Sequence, residues 1–306
     1  MQDMKFGGIR GRATTWLVAA SALLSGSAWA NPHPWQLNLT KGVTQTSKEV
    51  WDLNMASFLV CVVIGIIVFG AMIIAMIRFR KSKGAVAEKW SHSTKLELVW
   101  TIVPVLILIG LAWPATKILV RTTDTADAKM TVKVTGYQWK WRYDYVDYDG
   151  KTVKKVGFMS RLDKKSDATR QLDSGLDPNK VVDANGTNDY LLNVDHPLVV
   201  PVGVKIRFLI TGGDVIHSWW VPDLGWKMDA IPGIVNAAWT KISKPGIYRG
   251  QCAELCGQDH GFMPIVVKAV PQAQFEQWLA AQESAAQLDK AARTAQATPT
   301  PGDSQG

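Results

Sequence analysis

The sequence predicts a two-helix transmembrane hairpin followed by an all-β domain. Three observations carry this reading. Two apolar runs, Met55 to Ile77 and Leu98 to about Leu119, are each long enough to cross a bilayer. A short basic loop separates them, with Arg78, Arg80, Lys81, Lys83, Lys89 and Lys95 opposed only by Glu88. Beyond Thr122 the pattern changes to short strand-like runs broken by Gly, Pro, Asn and Asp.

Each element follows in order. Residues 1–30 read as a cleaved signal peptide: Lys5, Arg10 and Arg12 are basic, Thr15 to Leu24 is apolar, and Ala28-Trp29-Ala30 is a small-residue cleavage site. The apolar stretch is short for a membrane span. No cysteine lies near the cut, which argues against lipid attachment there. Residues 31–54 then form an extracytoplasmic N-terminal segment, and residues 55–119 the hairpin. Its first span covers about 52–79 and its second about 97–119. Pro104 and Pro114 are tolerated in a spanning helix, and Trp100 and Trp113 sit towards its two ends. The positive-inside rule places the basic loop in the cytoplasm and both termini outside, at a bacterial-type inner membrane.

Residues 120–270 hold the β-domain. Lys129 to Thr135 alternates with period two, and Tyr137 to Tyr148 is aromatic and extended. Further strand-like runs are Tyr190–Val194, Val204–Thr211, Ala237–Ile242 and Met263–Val270. Such spacing suggests a sandwich or barrel. Residues 160–188 are rich in Asp, Lys, Ser and Asn and read as a solvated excursion. Pro271 opens a C-terminal helix over 271–284, and residues 285–306 read as a disordered tail. The net charge of +8 is mostly topological, concentrated in the basic loop and at the N-terminus. It therefore gives no support to nucleic-acid binding.

The chemistry gathers in Cys252-Ala-Glu254-Leu-Cys256-Gly-Gln-Asp-His260-Gly-Phe-Met263, with His217 upstream in Asp214-Val-Ile-His217-Ser-Trp219. Thiolates, imidazoles and a thioether are soft or borderline donors, and together they favour copper. A Cys252–Cys256 disulfide would leave His260 and Met263 unexplained. A structural zinc site would make poor use of a methionine. Two thiolates can bridge two copper ions and share one unpaired electron, which suits electron transfer. Cys61, inside the first apolar run, reads as a small hydrophobe.

These residues resemble subunit II of the haem–copper cytochrome c oxidases. Gly136-Tyr-Gln-Trp-Lys-Trp141, Asp229-Ala-Ile-Pro-Gly233 and Leu98-Val-Trp-Thr-Ile-Val-Pro104 extend the resemblance over nearly all of the mature chain. It implies a cupredoxin-like Greek-key barrel holding a dinuclear copper A centre. The bridging thiolates would be Cys252 and Cys256, the imidazole ligands His217 and His260, and Met263 the thioether. Glu254 would ligate copper through its backbone carbonyl, and its side chain would reach a magnesium or manganese ion shared with subunit I. The implied partners are subunit I and subunit III, the lipid bilayer, and cytochrome c as electron donor. Haems and copper B would belong to subunit I, where oxygen is reduced with proton pumping.

The resemblance marks Trp139 as an exposed point where electrons come in. Asp144, Asp195 and Asp214 would be donor-docking carboxylates, and Glu97 a proton-channel entrance. No acid/base pair or nucleophilic triad of the chain's own is evident. A quinol-oxidase subunit would lack the copper ligands. A nitrous-oxide-reductase-type enzyme would need a second metal domain, for which five histidines are too few. A copper-delivery protein would expose its site rather than embed it between strands.

Overall fold

A computed structural model of the chain describes residues 28–30, 36–153, 155–182 and 188–297. The proposed signal therefore lies outside the described residues except for Ala28–Ala30. So do residues 31–35 of the N-terminal segment, part of the excursion, and the last nine residues of the expected tail.

Strand β1 (Ala28–Ala30) lies parallel to Gly246–Tyr248. Helix α1 (Gln45–Arg78) follows, then a 3-10 turn in the basic loop, then helix α2 (Thr94–Thr123). Both helices are apolar all round, so neither has a polar face to turn to water. Their apolar side chains are unburied, as at Ile66 (69% exposed) and Ile109 (61% exposed).

Helix α1 starts earlier than the expected span because Thr44 caps it. The Thr44 hydroxyl accepts from the Ser47 N–H at 2.9 Å, and the Ser47 hydroxyl accepts from the Thr44 N–H at 3.0 Å. This reciprocal box satisfies two donors that a bare helix end leaves unpaired. Helix α2 continues through Pro104 and Pro114 without interruption.

The β-domain follows as β2 (Met130–Tyr137), β3 (Lys140–Tyr148), β4 (Lys151–Thr152), β5 (Gly157–Ser160), α3 (Lys164–Thr169) and β6 (Leu198–Pro201). It continues with β7 (Ile206–Gly212), β8 (His217–Val221), β9 (Trp226–Ala230), β10 (Asn236–Thr240), β11 (Gly246–Cys252), β12 (Pro264–Val270) and α4 (Gln272–Ala297). One sheet runs β10-β7-β2-β3-β4, with β5 on β3. The other runs β6-β12-β11-β8-β9, with β1 on β11. Between them lies one aromatic core, in which Trp141, Tyr143, Phe208, Trp219 and Tyr248 are fully buried. Phe208 stacks on Trp219 with ring centres 5.3 Å apart, and Trp219 on Trp226 at 5.2 Å.

Two expectations are corrected. Tyr190–Val194 is not a strand. Leu191 has φ +62°, and the Leu192 N–H closes a turn on the Asp189 carbonyl. A left-handed residue breaks an extended run, and the strand instead forms at Leu198–Pro201. The C-terminal helix does not end at 284. It continues to Ala297, because Ala and Gln, both strong helix formers, dominate the segment. Its first turns are anchored by Phe275, fully buried and edge-on to Tyr148 with ring centres 5.1 Å apart.

Candidate metal centre

The site is built where three elements meet. Strand β8 begins with His217, β11 ends with Cys252, and the loop from Ala253 to Met263 returns the chain into β12. Register holds the parts together. Cys252 pairs with Trp219, the Cys252 N–H donates to the Met263 carbonyl at 3.1 Å, and the Ala253 N–H donates to Ser218 at 3.0 Å. Ladder bonds thus fix both ends of the loop; Cys252, Cys256 and Met263 are buried, while Glu254 and Leu255 are exposed.

One ligand atom from each of His217, Cys252 and Cys256 lies within 4.8 Å of the others, and all three residues are buried. The two sulfurs are 3.8 Å apart, well beyond the roughly 2 Å of a disulfide bond. His217 Nδ1 faces Cys252 Sγ at 3.9 Å, and His260 Nδ1 faces Cys256 Sγ at 3.6 Å. The Glu254 carbonyl faces Cys252 Sγ at 3.4 Å, while the residue itself is exposed. Met263 is buried at the rim of the core. His217 is therefore brought from 35 residues upstream against the loop that carries Cys252, Cys256 and His260.

The imidazole of His217 is held on its far side. Its Nε2–H donates to Asp214 at 2.9 Å, which leaves Nδ1 towards the sulfurs. Trp141 packs edge-on to the ring. Gly136 gives the ring its space: a Cβ there would lie 2.8 Å from His217 Cδ2. Asp214 also accepts from the Gln138 and Val215 N–H groups at 2.8 and 2.7 Å. Partial burial works against the Asp214 charge, and these hydrogen bonds outweigh it, holding the carboxyl below its ordinary range.

The thiols are electrostatically opposed. Burial pushes both up. For Cys252, hydrogen bonds with His217 and the neighbouring backbone overcome burial and bring the thiol down to about 7. Cys256 is pushed up to about 12 by burial and then by the Cys252 charge. Ionising both at this distance would take a cation between them. The donor set, its burial and this charge requirement fit a thiophilic metal, copper above all.

Other expected residues fall as follows. Trp139 is half-buried rather than open. Its indole N–H donates to the Cys256 carbonyl at 3.2 Å. Asp144 is held by both nitrogens of an Arg142 fork, at 2.9 and 2.7 Å. Asp195 accepts from the Arg161 N–H at 2.8 Å and lies 3.2 Å from His196. Glu97 is in the first turn of α2, remote in sequence from the metal loop, and pairs with His92 at 2.8 Å.

Sequence reasoning missed Gln138, whose side-chain amide donates to the Cys256 carbonyl at 2.9 Å. Its place beside Trp139 in the β2–β3 turn was the available signal. It also missed Arg170, which reaches the metal loop from the excursion. That contact spans 89 residues and leaves no local trace.

Fold and site together define a class: a β-sandwich with a cysteine–histidine metal loop, carried on two membrane-length helices. Comparison with known proteins narrows it. The family "Cytochrome C oxidase subunit II, periplasmic domain" matches residues 130–270, and its transmembrane-domain counterpart matches residues 32–118. "Probable cytochrome c oxidase subunit 2" of Rickettsia conorii is 36% identical over 85% of this chain and 76% of its own length. "Cytochrome c oxidase subunit 2" of Mycosarcoma maydis is 35% identical over 82% of this chain and 92% of its own. The crystal structure of the periplasmic domain of the Bradyrhizobium japonicum subunit (CoxB) is 37% identical. It aligns with 53% of this chain and 98% of that one, at a TM-score of 0.42. The chain belongs to the cytochrome c oxidase subunit II family.

Proposed function

We propose that the chain accepts single electrons from cytochrome c at a dinuclear copper A centre and passes them to the haems of subunit I. Oxygen would be reduced there to water, with proton pumping. The carrying observation is the buried His217–Cys252–Cys256 group, with His260 and the Glu254 carbonyl against its sulfurs and Met263 buried at the end of the same loop. Copper held by these residues would supply a one-electron transfer site.

The protein's own residues do the rest. His217, Cys252, Cys256, His260 and Met263 would hold the metals, and Asp214 orients His217. Gln138 and Trp139 both donate to the Cys256 carbonyl, so a donor docked over Trp139 sits one hydrogen bond from a ligand residue. Half-burial suits that role, because it holds the ring still while leaving an edge for contact. Asp144, Asp195 and Asp214 would steer a lysine-rich donor, although each already has a partner within the chain. The Glu254 side chain would share a magnesium or manganese ion with subunit I. Glu97 would feed a proton channel of that subunit. Subunit III would complete the assembly.

The mature chain would begin at Asn31, with both termini and the copper domain on the periplasmic side of the inner membrane. The test is copper content and electron paramagnetic resonance of the full chain in detergent. Two coppers per chain sharing one unpaired electron are expected. A single copper, or zinc alone, would overturn the dinuclear reading.

A further inference from the structure

The excursion between β5 and β6 is not simply solvated. It is folded on itself at its near end and tied to the domain at its far end. Asp163 caps α3 by accepting from the Lys165 and Ser166 N–H groups at 3.0 and 3.1 Å. Ser166 is fully buried, and its hydroxyl accepts from the Leu191 N–H at 3.0 Å. At the far end Arg249 of β11 lies 3.9 Å from Asp189, with both side chains buried, and donates to the Leu192 carbonyl at 3.4 Å.

From this anchored base Arg170 reaches the metal loop. Its Nη1 and Nη2 meet the two oxygens of Asp259 at 3.2 and 3.3 Å. Its Nε donates to Asp167 at 2.8 Å, which fixes the guanidinium plane. The same plane lies over the Phe262 ring, 4.4 Å from its centre. The side chain is 19% exposed, so the pair is partly shielded from water. Arg170 thus grips the residues on both sides of His260-Gly261.

That segment has little rigidity of its own. Gly257 takes φ +117°, Gly261 has open space around its Cα, and the intervening turn closes on two backbone bonds, from His260 to Gly257 and from Phe262 to Asp259. Glycines on both sides of a ligand leave the backbone many alternatives to lose on ordering. A planar, bidentate and stacked guanidinium removes those alternatives as a lysine cannot.

We propose that the excursion is a clamp on the metal loop, with Arg170 a positioning residue that sets His260 and Met263 in ligating geometry before metal arrives. The proposal rests on the copper reading for its consequence, though not for the clamp itself. The full chain in detergent should be compared with Arg170→Met and Asp259→Asn.

In the copper-free state, amide hydrogen exchange at residues 257–263 should rise in both variants while the β-strands keep their protection. Copper affinity should fall about tenfold, at the lower end of what losing an outer contact costs a metal site. Arg170→Lys should recover only part of it. The hyperfine pattern of the loaded variants should also shift, which a purely distant structural role would not produce. Exchange at 257–263 and affinity both within about twofold of the parent, well short of that cost, would overturn the clamp. If Arg170→Met fails to fold, Asp259→Asn alone decides it. If the parent chain takes up no copper, the copper reading falls, and exchange at 257–263 still decides the clamp.

Discussion

At the residue scale, the metal centre depends on what surrounds the ligands as much as on the ligands. His217 is useful only because Asp214 holds one nitrogen and thereby presents the other. Gly136 is the least conspicuous member of that arrangement. In the sequence it opens the motif Gly136-Tyr-Gln-Trp-Lys-Trp141 with no evident role, since a glycine in a strand shows no chemistry by itself. Its role is absence: the His217 ring occupies the space a side chain would take. Gly136→Ala should push the ring away from the sulfurs and weaken copper binding at least about tenfold. It should also cost roughly 1–3 kcal/mol of stability, as overpacking does. Copper titration followed by optical and paramagnetic spectra checks this. Unchanged affinity would mean that the loop, not the strand, sets the imidazole.

At the element scale, α1 is joined to the β-domain by a short strap. The Val43 N–H donates to the Asp223 carbonyl at 3.0 Å, Thr40 donates to the Asp223 side chain at 2.9 Å, and Thr44 donates to the Leu224 carbonyl at 3.0 Å. On the other side Arg121 of α2 pairs with Glu49 of α1 at 2.9 Å, and Trp239 of β10 donates to the Arg121 carbonyl at 2.8 Å.

The strap carries a pH signature. Burial raises the Asp223 pKa above its ordinary 3.8, against the lowering effect of the Thr40 hydrogen bond. A carboxyl raised on folding contributes most at low pH, and that contribution is lost as pH rises through the folded value. Asp223→Asn should therefore raise the melting temperature at pH 7, and the gain should shrink to nothing below about pH 3.8. An Asp223→Asn protein less stable at pH 7 would show that the charge, not only its oxygen, is needed by the strap.

At the scale of the whole molecule, apolar helices without a polar face stand beside a domain with a complete core. Such helices need lipid, because most of their apolar side chains stay exposed within the described residues. The chain should stay in the membrane fraction through an alkaline wash that strips peripheral proteins. Release into the supernatant would overturn the spanning assignment. The strap and the hydrogen bond from Trp239 to Arg121 then tie the β-domain directly to the ends of the two helices, so the metal centre rides on a short tether rather than a long linker.

Much of this was legible without coordinates. The two membrane-length runs, the change to strand periodicity after Thr122 and the donor-rich loop from Cys252 to Met263 are local, and local composition sets them. A soft donor set chooses its metal class wherever it folds. Tertiary structure decided what depends on distant segments. It turned Tyr190–Val194 into a turn. It carried the last helix to Ala297, half-buried Trp139 against the Cys256 carbonyl, and gave Asp144 and Asp195 partners of their own. It also brought Arg170 onto Asp259 and Gly136 under His217. The physical reason is the same in each case: periodicity and residue chemistry act over a few residues, whereas a hydrogen bond or a shared space across sheets is fixed only when the core closes.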